Sequence, residues 1–421
     1  SVSYIGYKTV TVKARPTLRI ELTEDSQLID EVVVTGYMSE KKASLTGSVA
    51  VVKMKDVADI PTGNVLSSLQ GRVAGMNITT DGTPGGGNTS TLVRGKSSFR
   101  NDANSPLYVI DGVMTRENIS SILSSNDVES IQVLKDAASA AIYGAQAAKG
   151  VVLVTTKNGK EGKAVVSFDG YFGVQNVAKE VNLLNTEQYM MIMDESHRNS
   201  TGSGYNWSGY KSIYDANGNL YDVDWLDKMF EDNAQMQSYT LGITGGSTVS
   251  QYAISLGYMS QEGIVGGKDV SNFSRYNFRI NSEHKLFKNL LKVGEQVSFV
   301  YRDKTGVGVG GQYDNSLRGA YEIAPFVPIY SDNNIYDMPY NDTSNSDWNQ
   351  ESGNPYGLMM MRHNQNKNVF FSGNAYAELQ PIKNLKIRTV FGANYSTNEY
   401  RNFNPISVSY THLTLPTKRI V

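Results

Sequence analysis

Few residues of this 421-residue chain are spaced for covalent or metal chemistry. Its four histidines, His197, His284, His363 and His412, never stand at the three- or four-residue spacing that aims two imidazoles at one metal ion. Cysteine is absent, which removes thiolate ligands, disulfides and cysteine nucleophiles. The run YDANGNLYD at 214–222 mimics a calcium loop through Asp215, Asn217 and Asn219. Leu220 stands where that loop needs glycine and Leu226 where it needs a bidentate acid, so an Asn-Gly hairpin tip fits better. DGTPGGGNTS at 81–90 lacks the Lys-Ser/Thr pair and the capped helix of a phosphate cradle, and it reads as a flexible loop. Asp111 sits in an Asp-Gly turn, where a carboxylate bonds backbone more readily than it catalyses. Carboxylates are plentiful, but none is placed by sequence at glycosidase separation. What remains is recognition. Tyr205, Trp207 and Tyr210 offer flat faces for sugar rings or apolar side chains, with loop packing or an interfacial aromatic belt as the alternative. No catalytic residue, cofactor or metal is expected.

The elements that would carry a binding surface are mostly strands. There are 26 Tyr and 39 Gly against 11 Pro, with 19% charged residues, a balance that suits many strands with aromatics at interfaces. A formal net charge of −2 gives no reason to expect nucleic acid as a partner. No run approaches the ~20 apolar residues of a membrane-spanning helix, whereas a β-barrel, with its alternating strands, stays open. The absence of cysteine fits an oxidising envelope compartment. Position 1 is Ser and nothing near it resembles a signal peptide, so the chain is expected to begin inside a longer protein.

The stretch 127–157 organises the first half. Ile131, Val133 and Leu134 make a strand, Asp136 caps a short helix of Ala137, Ala138, Ala140 and Ala141, and Gly144 stops it. Val151 to Val154 are apolar on both faces, as in a strand covered on both sides. Upstream, Asn64 to Ala74 carry Val65, Leu66, Leu69 and Val73 on one helical face, with Thr62 as a possible cap. Together with VRGKSS at 93–98 and PLYVIDGV at 106–113, the 127–157 stretch resembles the plug domain of TonB-dependent outer-membrane receptors of the SusC/RagA type, in order and spacing over about 120 residues.

That resemblance implies an α+β plug at 40–160, preceded at 1–23 by the end of a small β-sandwich similar to a carboxypeptidase-regulatory-like domain, with a linker at 24–39. Within the linker, LIDEVVVTGY at 28–37 reads on composition as an ordinary strand. By position it resembles the TonB box, so that Asp30, Glu31, Val32, Val33, Val34, Thr35 and Gly36 would add as an unpaired strand to the sheet edge of TonB. The resemblance also puts Arg94 where the plug faces the barrel, with Glu295 on the inner wall as its expected partner.

From about Ala164 the chain reads as long alternating strands, at 164–175, 235–245, 249–260, 272–283, 291–302, 368–380 and 385–396. In 251–260, Tyr252, Ile254, Leu256 and Tyr258 face one way and Ala253, Ser255 and Gly257 the other, the pattern of a transmembrane barrel wall. Short turns alternate with the long polar loops 176–234 and 303–367, again as in outer-membrane barrels. Residues 161–406 are therefore expected to be the first antiparallel strands of a truncated β-barrel, roughly a third of the about 22 strands of a plugged transporter. The end, 407–421, breaks the pattern, resembles translated sequencing-adaptor read-through, and is expected to be non-native.

The resemblance implies a multi-pass outer-membrane protein, its N-terminal part periplasmic, that imports a glycan or peptide by TonB-driven displacement of the plug, with a SusD-like lipoprotein and outer-membrane lipid as partners. The resemblance implies no covalent chemistry. A passive or adhesive receptor that binds without import, and a secreted β-rich glycan hydrolase, are the alternatives; the plug motifs argue against the second.

Overall fold

The computed structural model describes residues 32–35, 38–41, 49–56, 64–87, 89–96, 98–100, 104–136, 140–209, 213–215, 217–308, 315–330, 354–361, 363–382 and 385–403. The expected sandwich at 1–23 and the tail at 407–421 lie outside these residues, as do Thr62, Ala137 and Ala138. The first described elements are β1 (Val32–Thr35) and β2 (Met38–Lys41), which pair antiparallel with Val32 opposite Lys41. Val32–Thr35, within the segment expected to be unpaired, are thus paired with a neighbouring strand.

The plug follows. A five-stranded sheet has the order β3 (Val49–Lys53), β8 (Val128–Leu134), β9 (Val151–Thr156), β6 (Leu107–Ile110) and β7 (Val113–Thr115). All neighbours run antiparallel except β6 and β9. A small hairpin of β4 (Met76–Thr79) and β5 (Ser90–Val93) lies beside it. Strand β9 explains why the sequence carries an unbroken apolar run. Val152 and Val154 enter one hydrophobic cluster with Ile131, Ile110 and Ile122, while Val151 and Leu153 enter a second with Leu107, Leu134 and Ala147 on the opposite face. Gly150 leads into it at φ 88°, where an added Cβ would crowd the Leu134 carbonyl at 3.0 Å.

Two helix expectations change form. Val65, Leu66, Leu69 and Val73 are buried as the helical face required, but the backbone makes successive turns with a 3-10 segment at Ser67–Leu69. The Asn64 carboxamide accepts from the amides of Leu66 (2.9 Å) and Ser67 (3.3 Å), so the observed cap lies two residues past the expected one. The Ala-rich segment is a 3-10 stretch over Ala141–Ala147, broken at Gly144 with φ 69°. Glycine at that point interrupts the coil instead of ending an α-helix.

A seven-stranded antiparallel sheet forms the second half, in chain order: β10 (Gly162–Gln175), β11 (Ala234–Gly246), β12 (Ser250–Glu262), β13 (Asn272–Leu286), β14 (Leu291–Thr305), β15 (His363–Ile382) and β16 (Leu385–Phe403). Each expected strand is present, and most are extended by a few residues. Short turns join one end of the sheet, while the long loops gather at the other. There the helices Trp225–Met229, Ser316–Glu322 and Pro355–Met361 bury Trp225, Met229, Ala320 and Met359 together as a packed cap.

Register makes the outer face of this wall apolar. Phe168, Leu241, Leu256, Phe278, Phe299, Phe371 and Tyr395 stand side by side across all seven strands, each exposed. Two residues nearer the long loops, Tyr239, Tyr258, Tyr276 and Tyr301 form a row with ring centroids 6.5, 4.9 and 6.3 Å apart. An apolar band edged by aromatic rings is the lipid-facing surface of an outer-membrane barrel. No helix among the described residues is long and apolar enough to cross a membrane.

Candidate functional site

The inner face of the wall holds the plug, and one strand does most of it. Along β13 the side chains of Arg275, Asn277, Arg279 and Asn281 point inward at period two and are all buried. Arg275 Nη1 donates to the carbonyls of Ser120 and Leu123, both at 3.0 Å, at either end of the short helix Ile119–Ile122. Asn277 Nδ2 donates to Asp127 Oδ2 at 3.1 Å, and the other oxygen of that carboxylate accepts Ser255 Oγ from β12 at 2.6 Å. Asn281 Nδ2 donates to the Lys157 carbonyl at 2.8 Å, where the plug chain leaves for the wall.

Arg279 makes the central contact. Its Nη2 reaches Asp111 Oδ2 and Thr156 Oγ1, and the Arg279 and Asp111 side chains are only 7% and 4% exposed. Asp111 occupies the left-handed region at φ 48°, followed by Gly112 at φ 90°, in the turn between β6 and β7. That turn aims its carboxylate across the sheet, where Oδ1 accepts the Thr156 amide at 2.9 Å and Oδ2 accepts the Thr156 hydroxyl at 2.7 Å. The backbone role expected for Asp111 is present, and an ion pair to the wall is added to it. Asn374 on β15 donates to the Asp111 carbonyl at 3.0 Å, so the same turn is held from two strands. Burying an ion pair is costly, and removing one partner leaves the other charge stranded. The pair therefore fixes where the plug sits more than it adds net stability.

Nearer the long loops the seam turns apolar. Val300 and Phe370 from the wall join the plug's own hydrophobic cluster. The Gly-rich stretch 81–90, expected to be flexible, is docked: the Gly85 amide donates to Gln261 Oε1 at 2.9 Å, and the Phe273 ring covers Gly85 where any Cβ would clash. Arg302 reaches the Ser121 hydroxyl and stands 3.9 Å from the Glu117 carboxylate.

The expected pair Arg94–Glu295 does not form. Arg94 is exposed at φ 57°, in a turn whose amide donates to the Gly75 carbonyl at 2.8 Å. Glu295 lies on the opposite side of the wall. It is in register with Ser282 and alternates with Val297 and Phe299 on the outer face, where it accepts the Ser282 hydroxyl. Sequence reasoning passed over Arg275, Asn277, Arg279 and Asn281, although a signal was present. The run RYNFRIN places large polar groups at alternate positions where the neighbouring strand β12 has Ala253, Ser255 and Gly257.

Tyr205 and Trp207 are brought together, with ring centroids 4.9 Å apart, and both are partly buried. Trp207 stands edge-on to Phe326 at 5.8 Å, and its Nε1 donates to Asp194 Oδ1 at 3.0 Å. Tyr210 is outside the described residues, as are Asp30, Glu31 and Gly36; Val32 to Thr35 form β1. Asp215 closes the expected hairpin tip by accepting the amides of Asn217 and Asn219, both at 2.8 Å. The Asn219 and Asn217 donors hold its carboxylate below the usual range. Among the described residues no group of three or more His, Asp or Glu could hold a metal ion.

An α+β unit seated on the inner face of an antiparallel wall with an apolar exterior is the build of a plugged outer-membrane receptor. Residues 41–151 match the family model of the TonB-dependent Receptor Plug Domain. The chain is 35% identical over 408 residues to a TonB-dependent receptor of Formosa agariphila, covering 95% of this chain and 39% of that protein. It is 32% identical over 425 residues to the TonB-dependent receptor SusC of Bacteroides thetaiotaomicron, covering 94% and 40%. A chain of the RagAB peptide importer in its 'open-open' state superposes with a TM-score of 0.72 at 26% identity, over 88% of this chain and 43% of that one. Residues 41–151 are thus a TonB-dependent receptor plug domain, and over nearly its whole length the chain is similar to SusC-type TonB-dependent receptors, spanning about two fifths of the length of the curated relatives it matches.

Proposed function

We propose that this protein imports a nutrient, a glycan or an oligopeptide, across the outer membrane by TonB-driven displacement of its plug. A SusD-like lipoprotein at the cell surface captures the cargo with it. The observation that carries the reading is how the plug is held: by side-chain bonds from Arg275, Asn277, Arg279 and Asn281, with no backbone ladder shared between plug and wall sheets among the described residues. Side-chain bonds to a polar wall can be broken and remade without unfolding either sheet, which suits a stopper that moves. The relationship to SusC-type receptors and the likeness to a peptide importer support import over passive binding.

The segment 28–37 is the handle. Among the described residues strand β1 pairs with β2, and exchanging that short ladder for the sheet edge of TonB conserves backbone hydrogen bonds while connecting the plug to a source of force. Asp30, Glu31 and Gly36 flank the exchanged strand. Deleting 28–37 from the full-length receptor abolishes uptake and leaves ligand binding at the cell surface intact. Undiminished uptake by that deletion would overturn the energy-coupling assignment.

A further inference from the structure

The seam between plug and wall is closed at one end and open at the other. Toward the long loops, Val300, Phe370 and Phe273 interdigitate with plug residues. At the short-turn end a cavity of about 220 Å³ separates the two, beside Asn158 and Gly159 where the plug chain departs. Gln251, Asn281, Glu283, Lys292, Tyr376 and Arg388 line it, from five consecutive strands.

Its chemistry is charged on both signs. Glu283 accepts the Tyr376 hydroxyl at 2.8 Å and pairs with Lys292 at 3.1 Å. The Arg388 guanidinium lies 4.4 Å over the Tyr376 ring and has no carboxylate partner among the described residues. Asn281, itself 2% exposed, lines the same space. A neutral sugar would need an open aromatic face, and the one ring present is covered by a cation. A carboxylate, by contrast, meets an unpaired guanidinium with Lys292 close by, and an ammonium or amide N–H meets Glu283.

Building on the import reading, we infer that this cavity is the inner end of the cargo path and takes the free carboxylate of a short peptide. Water and polar cargo enter an open, charged seam more easily than a packed apolar one, so the plug loosens here first. Arg388 receives the carboxylate, and the Glu283–Lys292 pair opens to hold the preceding peptide groups.

The test compares uptake of three labelled probes by the full-length receptor in cells: tetra-alanine with a free C-terminus, its C-terminal amide, and a neutral maltotetraose. Arg388→Gln lowers uptake of the free-carboxylate peptide roughly tenfold, as loss of one charge-assisted hydrogen bond predicts, with surface binding unchanged. Arg388→Lys retains most of the uptake, and the amide is imported equally by both variants and the parent. Uptake of the neutral glycan alone, or an equal loss for all probes in Arg388→Gln, or no loss at all, overturns the assignment. The import reading fails separately: it falls if deleting 28–37 is silent, and it stands if that deletion abolishes uptake while Arg388→Gln changes nothing.

Discussion

The plug and the wall use the same strand alphabet for opposite solvents. In the plug, apolar side chains on both faces of β9 turn into two clusters, and polar groups lie at the rim. In the wall the large apolar residues of β10 to β16 face out in one continuous row, and the polar ones turn in. The plug buries most of its hydrophobic surface in itself, with Val300 and Phe370 of the wall completing one cluster, and the wall turns most of its large apolar residues outward. Along β13 their shared boundary is polar on the wall side, so arginine and asparagine hold the two together there, while toward the long loops Val300 and Phe370 pack into the plug. This difference supports the proposal that the plug moves as a unit. A wall whose inner face matched the plug's core would fuse with it into one packed unit.

The contrast breaks most severely at Arg279. Arg279→Ala strands the Asp111 carboxylate in a buried site and is expected to cost about 3–5 kcal/mol of plug seating. Faster hydrogen exchange in β9 and passive leak of large solutes in cells lacking TonB measure it. The double variant Asp111→Asn with Arg279→Gln recovers much of the loss, since no buried charge is left unpaired and the carboxamide oxygen still accepts the Thr156 amide in a left-handed turn that asparagine tolerates. Next in size is the outer face. Phe278→Arg puts a cation on the apolar band and costs about 2–4 kcal/mol in folding into vesicles, without loosening the plug. Within the plug alone, Asn64→Ala removes the cap on the Leu66 and Ser67 amides and costs about 1 kcal/mol, read as local exchange at those two amides. The smallest expected effect sharpens the boundary itself. Arg94→Gln and Glu295→Gln lie on different surfaces, so a double-mutant cycle between them is additive within about 0.3–0.5 kcal/mol. A larger coupling would put Glu295 on the inner wall after all.

Local pattern was enough for much of the architecture. Runs such as Val151 to Val154 identify a doubly covered strand because β-branched apolar residues have no other comfortable setting. Period-two alternation located all seven wall strands, since a lipid-facing side must repeat every second residue whatever the strand pairs with. The turn at Asp111 was legible too, as Asp-Gly chemistry. The Ala-rich and 64–74 segments were read as helices because apolar spacing does not distinguish an α-helix from successive tight turns. At 64–74 the turns bury the same residues.

What spacing cannot fix is which side of a strand faces which partner. Glu295 illustrates this: alternation assigns it to one of two faces, and only the register with Ser282 and the exposure of Phe299 decide that the face is the outer one. The same holds for Asp111 and Arg279, 168 residues apart, whose meeting depends on a turn in one domain and a strand in another arriving at the same depth. Sequence by itself determined the period of each strand and the polarity of its two sides, because those follow from local geometry and the solvent each side must meet. Tertiary structure alone decided which polar groups join across the seam, because a buried charge takes its partner from whatever the fold brings within reach.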